Sequence, residues 1–272
     1  MLHRAAALLA VCALAGGLAA CATSGLSRLP EGQTRLETAR ALYERGDYRR
    51  CILETNAFLA DSPGSRYLDE ATMLLGKAYY EEGDFFAAEE RFRRIKRDFP
   101  ESELAEDASY FLALALLSQS RPAELDQAET EEALVEFQSF ITRYPDHPNV
   151  ERARGHMRDA RAKLAEKQYK NGITYSKVKS YAAARHQFQQ VVTLFPETPW
   201  ACPAMYRLVK SFERTQDWSG VSLWAQRLVD EAPDCQYAAD AREMLDKALR
   251  EQAAGEAPEA DSSASVSPDG KD

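Results

Sequence analysis

The run Leu75-Gly76-Lys77-Ala78-Tyr79, followed by Gly83-Asp84-Phe85, Ala88, Phe92, Ile95 and Pro100, constrains this chain more than any other feature. Leu75 and Tyr79 lie four residues apart, and Ala88, Phe92 and Ile95 follow at steps of four and three. Each set therefore lines one face of a helix. Between them Gly83-Asp84 has the composition of a tight turn. Pro100 ends the second helix because it has no amide hydrogen to give the ladder. Gly76 and Ala88 are small where two helices approach closely, and the larger side chains fill the seam. The unit is a helix–turn–helix pair, and one such pair cannot bury its apolar face alone.

The same phrase recurs with drift. Gly46-Asp47-Tyr48, Cys51, Phe58 and Pro63 precede it. Ala133, Phe137, Phe140 and Pro145 follow as the second helix of a third copy. A fourth holds Gly172, Tyr175, Tyr181, Ala184, Phe188, Val191 and Pro196, and a fifth Leu208, Phe212, Asp217-Trp218, Leu228 and Pro233. This is the tetratricopeptide pattern. It predicts an all-α fold, an α-solenoid of about five helix pairs, with Tyr237 to Arg250 as a polar-faced capping helix. The closing prolines are separated by 37, 45, 51 and 37 residues, so the middle is irregular. Ser118 to Thr130 reads as an insertion between the helices of repeat three, and Val150 to Ser176 as one long helix or two fused ones.

The ends carry other signals. His3 and Arg4 precede an apolar stretch from Ala5 to Ala15, then Leu18-Ala19-Ala20-Cys21, as in a bacterial secretory signal. The stretch is shorter than the ~20 residues of a spanning helix. Leu-Ala-Ala-Cys resembles the lipobox of bacterial lipoproteins, which implies lipidation of Cys21 and cleavage before it. A secretory signal with an incidental cysteine is the alternative. Stable anchoring needs more than one lipid chain, each buried methylene adding about 0.8 kcal/mol. Ala22 stands where inner-membrane lipoproteins of many Gram-negative bacteria carry aspartate, which favours the outer membrane. Residues 1–20 are thus read as signal, 21–33 as a flexible tether, and 252–272 as a disordered acidic tail.

The formal charge of −9 argues against a nucleic-acid binder. No phosphate loop or nucleophile elbow is present. His3, His147, His156 and His186 are too scattered for a metal site. Neither catalytic residues nor a cofactor are expected, and the chain reads as a binding scaffold.

Lipobox, repeats and irregular middle together resemble the BamD (ComL-like) family of outer-membrane assembly lipoproteins, from about Thr34 to Arg250. The resemblance is carried by Glu124 to Phe137, with Asp126-Gln127, Thr130 and Ala133, then by Arg143-Tyr144-Pro145 and by Leu164-Ala165 to Tyr169. The first repeat departs from the family, closing with Ser62-Pro63-Gly64-Ser65-Arg66-Tyr67 where an aromatic-rich ending is usual. The resemblance implies a part of the β-barrel assembly machinery, on the periplasmic face of the outer membrane. Repeats one to three (34–149) would receive unfolded barrel proteins. Repeats four and five with the cap (150–251) would dock the POTRA-containing, BamA-like barrel subunit, and accessory Bam lipoproteins would join.

The repeat register places Leu36, Arg40, Tyr43, Met73, Lys77, Tyr80, Tyr110, Leu114 and Leu117 along the first helices. A substrate-peptide groove would use the aromatic and apolar members for side chains and Arg40 or Lys77 for a terminal carboxylate. The same tyrosines could instead pack between repeats. Trp224, read as near the convex surface, and Trp200 are candidates for partner docking, while Trp218 fills the aromatic turn position. Cys51 reads as a buried thiol. Cys202 and Cys235 fall at one edge of repeat five, where a disulfide is possible if their Cα atoms come within ~7 Å. Another tetratricopeptide lipoprotein, of pilus assembly or division, is the nearest alternative function. A peptidoglycan-processing enzyme is the alternative from another class.

Overall fold

A computed structural model describes residues 31–255, and Cys21, the signal and the rest of the expected tether and tail lie outside them. Residues 31–33, read as tether, and 252–255, read as tail, are helical instead, as the first turn of one helix and the last of another. Among the described residues there are eleven helices: α1 (Glu31–Glu44), α2 (Tyr48–Asp61), α3 (Leu68–Glu82), α4 (Phe85–Asp98), α5 (Ala105–Ser118), α6 (Ala128–Arg143), α7 (Val150–Lys177), α8 (Tyr181–Leu194), α9 (Ala201–Arg214), α10 (Trp218–Glu231) and α11 (Ala238–Gly255). The class is all-α, built from tetratricopeptide-like pairs. The insertion of repeat three is the loop between α5 and α6. The long helix is α7, of 28 residues.

The chain divides into two compact units, one up to Ala108 and one from Ser109. In the first, α2 packs on α1 and α3, and α4 on α3. Leu36, Phe58 and Ala71 form one core cluster, and Ala39, Leu42, Cys51 and Ala78 another. Leu75, Phe92 and Ile95 are fully buried. In the second unit one continuous core runs from Leu164 through Phe188, Leu208 and Leu228 to Ala248.

The repeated phrase explains the pairs physically. Gly83 ends α3 in the left-handed region, at φ 85°, and its amide turns back to the carbonyls of Tyr79 and Tyr80. Asp84 then caps α4, its side chain accepting from the Ala87 amide. Asp47 and Asp217 cap α2 and α10 in the same way. Each second helix stops two residues before its proline, and the residue between leaves the helical region, at φ −128° to −138° and ψ 47° to 63°. A proline disfavours the helical conformation in the residue before it.

Candidate partner-binding surfaces

In the first unit α1 and α3 lie side by side. Arg40 on α1 reaches Glu70 on α3 at 2.5 Å, both about 40% exposed. Tyr43 and Tyr80 are half-buried, each braced by the aromatic that opens its own second helix. Tyr43 meets the Tyr48 ring at 5.4 Å and Tyr80 meets Phe85 at 5.3 Å. Burial, helped by the nearby Glu81 charge, pushes the Tyr43 phenol up to about 12. Arg40, Tyr43, Lys77 and Tyr80 thus share a half-exposed face of two parallel first helices. A cation already engaged by a carboxylate sits on it, beside two rings.

Three of the sequence-assigned positions are closed to a ligand. Met73 is only 3% exposed and Leu36 1%. A helix inside a stacked array has neighbours on two sides: α3 packs against both α2 and α4, so little of its first-helix stripe faces solvent. Tyr110 is 5% exposed. It lies among Phe111, Phe137, Phe140 and His156, its hydroxyl 3.5 Å from the His156 Nε2. The packing alternative therefore holds for Tyr110. Leu114 and Leu117 are partly exposed on the same helix. Tyr110 and Leu114 belong to the second unit, Arg40 to Tyr80 to the first.

Trp224 is also corrected. It is 7% exposed, because α11 packs over α10 and encloses it with Met244 and Ala248 in the main core. The Arg227 guanidinium covers what remains, 5.1 Å from the ring centre. Trp200, by contrast, is half-buried at the start of α9 and leans on Tyr169 at 5.1 Å. Tyr169 in turn meets Phe188 at 5.6 Å and accepts from the Arg207 Nε at 3.3 Å.

Trp200 forms one wall of an open cleft of about 550 Å³, with Pro122 and Glu124 of the insertion and Lys163, Glu166 and Lys170 of α7. The insertion is fastened from within. The Gln127 side chain is fully buried and its amide lies 2.9 Å from the Pro122 carbonyl, 3.2 Å from that of Arg121 and 3.4 Å from that of Leu125. Its own carbonyl accepts from the Thr130 hydroxyl at 2.9 Å. Ser120 hydrogen-bonds Thr130 and accepts from Lys163 Nζ at 2.7 Å, tying loop to helix. On the surface Lys170 pairs with Glu124 and, at 2.6 Å, with Glu166. Those partners raise the Lys170 ammonium above its ordinary value, the Glu124 hydrogen bond foremost, and lower the Glu124 carboxyl. Gln127, Thr130 and Lys163 were missed as organisers of this cleft. The Asp-Gln-x-x-Thr string stood in the sequence and its partners lie within ten residues, but Lys163 reaches Ser120 from 43 residues away.

At the edge of repeat five the structure joins Cys202 to Cys235 as a disulfide, Cα atoms 6.3 Å apart. Cys51 is free and buried, and burial pushes its thiol up. No helix among the described residues is long and apolar enough to cross a membrane.

The sequence profile of the outer membrane lipoprotein family YfiO matches residues 33–218. The chain belongs to that family. Both the α1–α3 face and the insertion with its cleft fall inside the YfiO match. The Caulobacter vibrioides outer membrane protein assembly factor BamD is 25% identical over 169 residues, covering 62% of this chain and 55% of its own. The match therefore spans about half the length of that relative. The Pasteurella multocida BamD is 23% identical over 193 residues, 67% of this chain and 72% of its own. A TPR repeats protein of Bacteroides fragilis, 11% identical, overlays 81% of this chain and 98% of its own with a TM-score of 0.44.

Proposed function

We propose that this YfiO-family chain is a scaffold of the β-barrel assembly machinery, held at the periplasmic face of the outer membrane by lipid on Cys21. It performs no reaction of its own and works by positioning one polypeptide against another. The observation that carries the reading is the family match over residues 33–218. The fastened insertion between α5 and α6, within that span, supports it by giving the second unit a preorganised recognition surface.

In this reading the α1–α3 face receives unfolded outer-membrane barrel proteins. Tyr43 and Tyr80 offer ring faces to apolar side chains of an extended segment. A terminal carboxylate competes with Glu70 for Arg40 or is met by Lys77. The cleft of Trp200, Glu124 and Lys170 takes the docking role, against the POTRA-containing barrel subunit. Trp200 supplies the aromatic anchor and the ion pairs around it set orientation. Accessory Bam lipoproteins complete the assembly.

Affinity purification of the full chain from solubilised membranes tests the reading. A POTRA-containing barrel protein is expected among the captured partners, and its absence would overturn the proposal. Trp200→Ala should reduce that capture at least tenfold while the chain keeps its helical content by circular dichroism. Cys21→Ser should release the chain from membranes, since a hydroxyl cannot replace the thiolate nucleophile.

A further inference from the structure

In a chain of formal charge −9, one groove is lined by cations. Lys177 closes α7, Lys179 sits in the turn after it, and Arg207, Lys210 and Arg214 line α9, with Tyr181 as part of the wall. The opening is about 540 Å³. Acidic neighbours account for little of that charge. Glu213 takes Lys210 at 2.6 Å and shares itself with Lys247 at 3.2 Å. Arg207 donates to the Tyr169 hydroxyl, which is neutral. Lys177, Lys179 and Arg214 are exposed and have no ion-pair partner among the described residues. Cations held together without counter-charges repel one another, so the groove is set for an anionic occupant.

The last helix delivers an acidic segment to the same end of this unit. In its final turns Lys247 bonds Glu213 and lies over the Trp218 ring, and the Gln252 amide reaches the hydroxyls of Ser219 and Ser222. The end of α11, at Gly255, therefore lies beside the α9–α10 turn that follows Arg214. Beyond it the sequence carries Glu256, Glu259, Asp261, Asp269 and Asp272 against the single cation Lys271. The helix order α11, α9, α7 puts the Lys177–Lys179 turn roughly 20 Å away, at about 8–10 Å per neighbouring helix. Extended chain covers ~3.3 Å per residue, so the stretch from Glu256 to Asp261 spans that distance.

The geometry points to the segment after Gly255 as the occupant: the acidic C-terminal stretch lies along the α7–α9 groove, its carboxylates on Lys177, Lys179, Arg207 and Arg214. The attachment decides between this segment and a diffusing acidic partner. Attachment to the same chain, a few residues away, gives an effective concentration on the order of millimolar. Each pair is a screened surface contact, so the association is reversible and salt-sensitive. A partner that needs this edge of the second unit must displace the segment first.

Zero-length carbodiimide crosslinking of the purified full chain tests this, because it joins lysine amines only to carboxylates already in contact. Crosslinks from Lys177 or Lys179 to Glu256, Glu259 or Asp261 are expected, within one chain when isotopically labelled and unlabelled chains are mixed. They should fall at least fivefold in about 0.5 M salt, where the Debye length is shorter than ~8 Å. They should also fall at least threefold in the double variant Arg207→Gln, Arg214→Gln, neither of whose parent residues reacts with the reagent. Lys210–Glu213 and Lys170–Glu124 serve as internal controls. Control crosslinks without any to the C-terminal segment would overturn the proposal. So would tail crosslinks that ignore both arginines. Crosslinks found only between labelled and unlabelled chains would give the groove to a second copy instead.

Discussion

Tyr43 shows how one residue serves a core and a surface at once. Its ring packs beside Cys51 and Ala78 while the phenol, raised to about 12, remains part of an open face. A folded-state value above the ordinary 10 means that the neutral phenol is the form the fold accommodates. The associated stability is complete below pH 10 and lost as pH climbs towards 12. Denaturant unfolding across that window should show a fall that Tyr43→Phe flattens; parallel curves would place the cause elsewhere. The glycines divide just as sharply. A Cβ on Gly76 would stand 2.7 Å from the Phe92 ring, whereas at Gly155, in α7, the nearest atom is an Arg158 guanidinium nitrogen at 3.7 Å. Gly155→Ala should gain about 0.5–1 kcal/mol from helix propensity. Gly76→Ala should lose about 1–3 kcal/mol from overpacking. Chemical denaturation midpoints moving in the same direction would contradict the packing argument.

At the scale of elements, each copy keeps the geometry while its residues trade places. In repeats two and four a glycine on the first helix receives a phenylalanine from the second, Gly76 under Phe92 and Gly172 under Phe188. Repeat five reverses this, with Gly220 on α10 receiving Phe212 from α9. Gln216 and Lys179 hold the left-handed turn position that Gly46 and Gly83 fill elsewhere, at the cost of a strained non-glycine backbone. The insertion is held by polar contacts, through the buried Gln127 side chain and the Lys163–Ser120 hydrogen bond. Gln127→Leu removes the amide that faces three loop carbonyls and one of the two partners of the Thr130 hydroxyl, a loss of about 1–3 kcal/mol. Hydrogen exchange should then speed up across residues 119–127 first. Protection equal to that of the wild type there would show that the loop is held by other contacts.

Within each unit cohesion comes from sequential packing of neighbouring helices, so an end helix needs its own closure. The second unit has one in α11, which buries Trp224, and a covalent one in Cys202–Cys235, which closes a loop across 33 residues of separation. Such a bridge is worth about 2–4 kcal/mol in the chain-entropy account. Peptide mapping of oxidised protein should find that pair linked and Cys51 free, and reduction should lower the stability of the second unit by that amount. Two free thiols at 202 and 235 would refute the pairing.

The sequence alone determined the helix pairs, their turns and their ends, because those depend on residues within one or two turns of each other. Spaced apolar positions, the Gly-Asp turn and the closing prolines act locally, and α1 to α11 follow from them. The insertion and the 28-residue α7 were legible for the same reason. Which side chains remain available was decided only by tertiary packing. Met73, Tyr110 and Trp224 lie on stripes that a single helix would expose, and neighbouring elements cover all three. Tyr43, Tyr80 and Trp200 come from the same kinds of position and stay partly open. Exposure is a property of what packs next, and the reach of Lys163 to Ser120, 43 residues away, is set by packing that no local spacing records.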